Sequence, residues 1–202
     1  FYRPNVLRAI GAVALLCDIY TMMRPFVLSV FLLAASASLL AQGASIQWMS
    51  VNDLEAAQAQ EPRKVMIDVY TQWCGPCKMM MANTFTNGDV IAYINENYYA
   101  VKFDAEGPDP VEFKGKTFSN PTYVPNKRGR NGVHELSRAF NVGAYPTIVY
   151  LDENLDMIAP ISGYKQPQQL ELYLRFFDEA WQTGTSQEEW DAFQQSFTPT
   201  FK

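Results

Sequence analysis

Two cysteines separated by two residues are the part of this sequence best suited to chemistry. Cys74-Gly75-Pro76-Cys77 follows the apolar run 65–70, which predicts a strand, and precedes a helical pattern. One helical turn keeps the two thiols within disulfide range of each other. Free N–H groups and the macrodipole at a helix start lower the pKa of the first thiol. We therefore predict Cys74 as the nucleophile and Cys77 as the thiol that resolves a mixed disulfide.

The same cysteine spacing is also found in half of many zinc sites. Beyond the pair, the sequence offers only Cys17 and a single histidine, His134, so a four-ligand site lacks thiol or imidazole ligands. We expect no metal and no cofactor other than a redox-active Cys74–Cys77 disulfide. Thiol exchange needs no imidazole, so we predict a structural or surface role for His134.

Length, composition and charge limit the other possibilities. The 202 residues are 48% apolar and 18% charged, which predicts one folded domain with a proper core. Residues 1–41 hold three arginines and one aspartate, so the rest has 13 basic and 20 acidic residues, a formal net charge of −7. Such an acidic balance makes nucleic acid an unlikely partner, and we predict no nucleic-acid binding.

The N-terminal segment has the pattern of a secretory signal. Met22-Met23-Arg24 gives a short basic start, 25–41 is apolar, and small residues precede Ala41. We predict a signal peptide at 22–41 that is cleaved after Ala41, with 1–21 as an upstream extension of the true start. The alternative is an uncleaved membrane anchor through 25–41. Either reading places the following domain in the periplasm or outside the cell.

Hydrophobic periodicity predicts an alternation of strands and helices after residue 45, and therefore an α/β fold. A first edge strand is expected within 42–50. The expected helices cover 51–60, 74–86, 90–98, 132–140, 166–181 and 186–197, and the expected strands cover 64–70, 99–103, 148–151 and 157–161. The run Met79, Met80 and Met81 could be a soft surface for binding a partner, but methionines beside an active-site helix more often fill the core, and we take the core as their expected place.

Residues 104–131 interrupt this alternation with a loop-rich insertion. It contains four prolines, and a small hairpin is expected at 111–118 with its turn at Gly115. Its basic residues are Lys114, Lys116, Lys127, Arg128 and Arg130. Such a loop can dock a protein partner, but we favour the simpler interpretation of an exposed loop kept soluble by charge.

At this point the chain resembles the thioredoxin superfamily over about 46–181. Trp73-Cys74-Gly75-Pro76-Cys77-Lys78 is similar to the family's active site, and Asp68 stands where the family has its buried acid. Ala144-Tyr145-Pro146-Thr147 is similar to the segment that carries the family's cis-proline, while Lys102 and Gly163 match a lysine beside the acid and a glycine after the last strand. The resemblance is greatest to secreted bacterial thioredoxin-like proteins. It implies a three-layer fold with a central mixed sheet flanked by helices, and leaves 182–202 as an extra helical extension.

The resemblance also implies roles for the matched residues. Asp68 would be the general base that accepts the Cys77 proton, with Lys102 as its neighbour. Trp73 would shield the sulfurs, and Gly75-Pro76 accompanies reducing behaviour in the family. Tyr145, before a cis Pro146, would offer its backbone to an extended substrate. The implied partners are protein disulfides and a membrane protein that donates electrons.

Two departures limit what the resemblance implies. The family commonly has a proline at the position of Ala82, and classical thioredoxins pass almost directly from strand to helix where this chain has the 104–131 insertion. We therefore predict an extracytoplasmic thiol-disulfide oxidoreductase that reduces protein disulfides. The alternatives are a non-catalytic binding or chaperone module on the same fold, and a disulfide oxidase or isomerase.

Overall fold

A computed structural model describes residues 45–202 of the chain. The predicted signal peptide at 22–41, the upstream extension at 1–21 and Cys17 lie outside the described residues. Within 45–202, no helix combines the length and the apolar character needed to cross a bilayer.

The described part of the chain alternates strands and helices much as the periodicity predicts. The strands are β1 (Trp48–Met49), β2 (Lys64–Tyr70), β3 (Tyr98–Asp104), β4 (Val111–Phe113), β5 (Lys116–Phe118), β6 (Thr147–Leu151) and β7 (Met157–Ser162). The helices are α1 (Val51–Gln60), α2 (Gly75–Asn83), α3 (Gly88–Asn97), α4 (Glu135–Ala139), α5 (Pro167–Arg175) and α6 (Gln187–Ser196). The predicted edge strand and hairpin are both present.

Five strands form the central mixed sheet in the order β1-β3-β2-β6-β7. The first three are parallel to one another, while β6 runs antiparallel to β2 and β7 antiparallel to β6. Strand β2 lies in the middle and is buried along most of its length, as its continuous apolar run predicts. This confirms the thioredoxin-like α/β architecture.

Two apolar clusters cover the two faces of the sheet and make the fold three layers thick. Strand β2 serves both, because successive side chains of a strand point to opposite faces. Val65, Ile67 and Val69 join the cluster that contains apolar residues of α1, α4 and the hairpin. Met66 joins the other cluster, with apolar residues of α2, α3 and α5. Since Asp68 has the parity of Met66, it faces the α2 layer.

Helix α2 is shorter than the sequence predicts, and only one of its three methionines is fully buried. It ends at Asn83 rather than near Thr86, and the Thr84 hydroxyl donates to the Lys165 carbonyl at 2.6 Å. Met80 is buried, whereas Met79 is 52% exposed beside the active-site helix start. The expectation that all three fill the core was wrong, because only one face of this helix contacts the sheet.

The helix predicted over 166–181 changes its winding after α5. Phe176–Ala180 form a π-helical turn that is closed by the Trp181 N–H donating to the Phe176 carbonyl at 2.8 Å. Phe176 and Phe177 are both buried. The wider turn thus ends the helix while two consecutive aromatic rings contact the core.

The C-terminal extension is fastened to the domain by a buried carboxylate, Glu171 on α5. Its oxygens accept the N–H groups of Thr200 and Phe201 at 2.8 Å, and Arg175 Nε at 2.9 Å. The Phe201 ring is buried in the apolar cluster that contains residues of α2, α3 and α5. Burial raises the pKa of Glu171, but the hydrogen bonds from Phe201, Thr200 and Arg175 outweigh it and leave that pKa below its ordinary value.

Replacing Glu171 by Gln should therefore destabilise the fold. The amide loses the charge that these donors stabilise, and we expect a loss of about 2–4 kcal/mol in the free energy of unfolding at pH 7. Because the pKa of Glu171 is depressed in the folded state, the variant should lose this full amount of stability at any pH above the ordinary carboxyl pKa. The difference in stability between the variant and the wild type should become smaller as the pH falls through the pKa of Glu171 in the folded protein.

Urea unfolding across a pH series measures this effect. Glu179→Gln is the matched control, because Glu179 accepts from the same Arg175 at 2.9 Å but is largely exposed. That change should cost under about 1 kcal/mol. Equal losses in the two variants would show that Glu171 does not hold the extension.

Candidate active site

The Cys74-x-x-Cys77 motif lies where strand β2 passes into helix α2. Cys74 is the N-cap residue of α2 and Pro76 occupies its first turn. The two cysteines form a disulfide with their Cα atoms 5.3 Å apart. The Cys77 N–H donates to Cys74 Sγ at 3.1 Å. A sulfur that already accepts an N–H at a helix start is placed to be stabilised as a thiolate once the disulfide is reduced.

Asp68 lies beneath this helix on the α2 face of β2. The residue is only 2% exposed, and burial raises the pKa of its carboxyl group from an ordinary 3.8 to about 6, with Lys102 opposing the rise. Lys102 is its partner in the parallel ladder to β3, and Lys102 Nζ lies 3.9 Å from Asp68 Oδ2. Desolvation therefore wins over the attraction of the nearby cation.

The Lys102 ammonium is shared among several neighbours, which limits what it does for Asp68. It lies 4.8 Å from the centre of the Tyr70 ring, 5.4 Å from that of Trp48 and 3.0 Å from Met81 Sδ. Aromatic faces and a thioether attract a cation without supplying a negative charge. These contacts keep the Lys102 ammonium 3.9 Å from Asp68 Oδ2, so the two groups form a loose ion pair rather than a close one.

A cavity of about 200 Å³ opens between α2 and the ends of β2 and β3. Cys77, Lys78 and Met81 line it from the helix, and Lys102 and Thr71 line it from the sheet. Thr71 Oγ1 is buried and makes no hydrogen bond within residues 45–202. Cys77 and the cation beside Asp68 thus line one cavity, which is large enough to admit water.

Trp73 forms the outer wall of the site directly before Cys74. It is 36% exposed, and its indole Nε1–H donates to Glu106 Oε2 at 2.8 Å. The same carboxylate oxygen accepts the Asn131 N–H at 2.7 Å. Glu106 thereby connects the 104–131 insertion to the ring beside the disulfide.

Tyr145 and Pro146 complete the surface of the site. The peptide bond between them is cis, and the Tyr145 ring packs edge-on against Trp73 with 6.0 Å between ring centres. The Pro146 carbonyl accepts the N–H of Gly163, which has φ +89°. Within residues 45–202, Tyr145 makes no backbone–backbone hydrogen bond. Its N–H and C=O can therefore pair with an added chain.

The structure brings the predicted site residues together in two groups. Trp73, Gly75, Pro76 and Tyr145 lie around the disulfide, whose Cys74 is itself 2% exposed, whereas Asp68 and Lys102 lie beneath α2. His134 is separate from both groups. It is buried, its Nδ1 accepts the Leu136 N–H at 3.1 Å, and it caps α4, as a structural role requires. Among residues 45–202, no group of three His, Cys, Asp or Glu side chains is placed to hold a metal.

Glu106 is a site residue that sequence reasoning missed. The signal for it is topological, because β2 and β3 are parallel neighbours and the segments that leave their carboxyl ends meet at one edge of the sheet. Trp73 follows β2 and Glu106 follows β3, so the two were bound to be close. A carboxylate next to a predicted active-site indole could have been found in this way.

Comparison with known proteins agrees with this geometry. A family model described as a thioredoxin-like domain matches residues 51–178. Thioredoxin-2 of Saccharomyces cerevisiae is 30% identical over 105 residues, which are 51% of this chain and 89% of that protein. Thioredoxin C-3 of Corynebacterium nephridii is 32% identical over 110 residues, 54% of this chain and 55% of that protein.

Solved structures show the same fold. A thioredoxin-fold protein from Helicobacter pylori is similar with a TM-score of 0.51 and 17% identity, covering 66% of this chain and 83% of that one. At this identity the likeness concerns the fold alone. The family match, the similarity to thioredoxins and the Cys74–Cys77 disulfide agree, and the chain belongs to the thioredoxin-like family of thiol-disulfide oxidoreductases.

Proposed function

We propose that this protein reduces disulfides of other proteins in an extracytoplasmic space, with Cys74 as the attacking thiol and Cys77 as the resolving thiol. The observation that carries the proposal is the position of the pair. Cys74 caps helix α2, where a thiolate is stabilised, and Cys77 lies one turn on, above a buried carboxyl group. This arrangement supplies both a nucleophile and a base for the second step.

In the first step the Cys74 thiolate attacks one sulfur of the substrate disulfide. A Cys74–substrate bond forms, the substrate disulfide breaks, and the other substrate sulfur leaves as a thiolate. The Cys77 N–H, which donates to Cys74 Sγ at 3.1 Å, favours the thiolate form of Cys74 before attack.

In the second step Cys77 attacks Cys74 Sγ and frees the second substrate sulfur. Its proton passes to Asp68, whose pKa of about 6 makes the carboxylate the main form at pH 7 while keeping it a stronger base than an exposed aspartate. The protein ends with the Cys74–Cys77 disulfide, and the two substrate thiolates become thiols by taking up one proton from Asp68 and one from solvent. Two electrons from a donor dithiol, which we propose belongs to a membrane protein, restore the starting state.

The substrate is proposed to bind as an extended strand beside the disulfide. The Tyr145 backbone groups have no backbone partner within residues 45–202, so an extended chain can pair with them as strands pair at a sheet edge. Trp73 and Tyr145 would cover the sulfurs from one side. Main-chain pairing requires no particular side chain, so the substrate must be selected by other contacts.

The location of the protein is proposed from its N-terminal segment. The basic start at Arg24, the apolar run 25–41 and the small residues near Ala41 support export through a cleaved signal peptide. A reductase in an oxidising compartment needs a continuing supply of electrons, which supports a donor in the adjacent membrane.

A Cys77→Ser variant should capture substrates as mixed disulfides through Cys74. Without the resolving thiol the second step is blocked, so the covalent intermediate accumulates. Incubation with insulin should give a dithiothreitol-sensitive adduct on a non-reducing gel, and the wild-type protein should accelerate insulin reduction by dithiothreitol.

Cys74→Ser is the matched control for this trapping and should give no adduct. Equal trapping by both variants would contradict the assigned order of attack. If Cys74→Ser/Cys77→Ser retained full biological activity, the protein would instead be a non-catalytic binding module.

Replacing Asp68 by Asn should slow the second step selectively. At pH 7 we expect a fall of roughly tenfold or more in the single-turnover rate of disulfide reduction, because the Cys77 proton loses its acceptor. The wild-type rate should rise with pH through about 6, where the pKa of Asp68 lies, and the variant should lack this rise. At a pH above the ordinary cysteine pKa of about 8.5 a thiol no longer needs a base, so the variant should recover. A variant slowed equally at all pH values would argue against Asp68 as the base.

The same Asp68→Asn change should make the oxidised protein more stable. Burial raises the folded-state pKa of Asp68 to about 6, so the folded protein holds this proton more tightly than the unfolded chain does. Ionisation therefore costs up to about 3 kcal/mol of stability above pH 6, and the cost disappears as the pH falls towards 4.

Urea unfolding between pH 4 and pH 8 checks this, with the exposed Asp191→Asn on α6 as control. The gain in Asp68→Asn should be largest at the highest pH, while the control should change by roughly 0.5 kcal/mol or less. A loss of stability at pH 8 would contradict the raised pKa.

A further inference from the structure

Residues 124–131 form a positively charged loop beside the active site, which we call the basic loop. It carries three exposed cations, Lys127, Arg128 and Arg130. Within residues 45–202 none of them forms an ion pair, whereas Lys114 of the hairpin pairs with Asp156. Without these three residues, the chain from residue 42 would carry 10 basic and 20 acidic residues, a net charge of −10. The loop is therefore a positively charged patch on an otherwise acidic protein.

The basic loop is closed on itself by Asn131. The Asn131 side-chain oxygen accepts the Val124 N–H at 2.8 Å, and its amide nitrogen donates to the Val124 carbonyl at 2.9 Å. Gly132 follows, and a side chain there would lie 2.3 Å from Thr122 Oγ1 and 2.5 Å from the Thr122 carbonyl. The base of the loop thus has a defined shape that requires glycine at this position.

The loop is also tied to the residue next to the nucleophile. The Asn131 N–H donates to the Glu106 carboxylate that holds the Trp73 indole, at 2.7 Å and 2.8 Å respectively. On the face of that indole lies the Arg130 guanidinium, 4.8 Å from the ring centre. A cation at this distance above an aromatic ring is attracted to the negative face of the ring. Two independent contacts therefore fix the loop against the outer wall of the site.

The Arg130 side chain keeps its hydrogen-bonding groups available in this position. It donates no hydrogen bond to any residue of the described chain, and the stacked guanidinium still has its N–H groups at the ring edge. Carboxylates bind such a fork with two parallel hydrogen bonds. Exposed apolar side chains lie on the same side, with Trp73 36% and Val124 50% exposed.

We propose that the basic loop is the substrate-selecting surface of this protein and binds an acidic polypeptide segment close to the disulfide to be reduced. The proposal rests on the proposed reductase function. Because Trp73 directly precedes Cys74, a carboxylate on Arg130 would belong to a residue about two to four positions from the reacting cysteine. The remaining negative charge of the protein repels an acidic segment elsewhere and so directs it to this loop.

Matched disulfide peptides test the proposal. Three peptides share one cyclic disulfide core and differ only in the three residues that flank one cysteine, which are all Glu, all Gln or all Lys. The fully reduced protein is mixed with each peptide, and the single-turnover rate is followed by tryptophan fluorescence. At low salt we expect the Glu peptide to react roughly three- to tenfold faster than the Gln peptide and the Lys peptide to be slowest. In 0.5 M NaCl the three rates should converge, because salt screens exposed charges.

Charge-matched double variants locate the effect. Arg128→Ala/Arg130→Ala should abolish the preference for the Glu peptide. Lys114→Ala/Lys116→Ala removes the same charge from the hairpin and should leave the preference for the Glu peptide intact. The hairpin is held elsewhere, since it hydrogen-bonds to Glu55 and Asn52 of α1. If the preference is lost in both variants, or kept in both, the basic loop does not select the substrate.

A small uncharged disulfide, 2,2′-dithiodipyridine, separates the two proposals. It has no acidic segment to bind, so the wild type and Lys114→Ala/Lys116→Ala should reduce it at equal rates. Failure of the wild type to reduce it would overturn the proposed function itself. Equal rates with this reagent together with equal rates for the Glu and Gln peptides would overturn the docking surface alone.

Discussion

The burial of a carboxyl group beneath the start of a helix is the constraint on which this active site depends. Asp68 is brought there by the side-chain alternation of β2, whose other residues fill the two apolar clusters. Desolvation of its charge opposes folding, and the surrounding core must offset that cost. Lys102 relieves the cost only in part, since its ammonium is shared with Tyr70 and Met81. A tighter ion pair would stabilise the fold but would make Asp68 a weaker base.

The outer half of the site follows from a different constraint, the parallel pairing of β2 with β3. Their carboxyl ends share one edge of the sheet, so Trp73 and Glu106 meet there. The long insertion begins at this same edge and returns to it through Asn131. An insertion at this point can therefore change the surface offered to a substrate without moving the sulfurs or Asp68. Relatives with the same dithiol could differ in their partners for this reason.

Local patterns in the sequence predicted most of the fold and the centre of the site. The bounds of α1 and β2, the hairpin turn at Gly115 and the start of α2 at the cysteine motif each depend on residues that are near in sequence. Long-range side-chain contacts were not predictable in this way. Glu171 is adjacent to Thr200 and Arg130 to Trp73 only because of how the elements pack. Met79 was misassigned for the related reason that a run of methionines does not show which of them faces the sheet.

The proposed base and the proposed docking loop lie in two different electrostatic environments. Asp68 is buried, so its proposed effect on Cys77 is little screened by salt and depends on pH near 6. Arg128 and Arg130 are exposed cations, so their proposed effect on substrate binding depends on salt. Trp73 links the loop to the disulfide, because it precedes Cys74 in the chain and carries the Arg130 guanidinium on its ring. A segment that bound at the proposed loop would reach Cys74 without contacting the buried Asp68. Surface residues of the loop can then be substituted on this fold without change to Asp68 or to the Cys74–Cys77 pair.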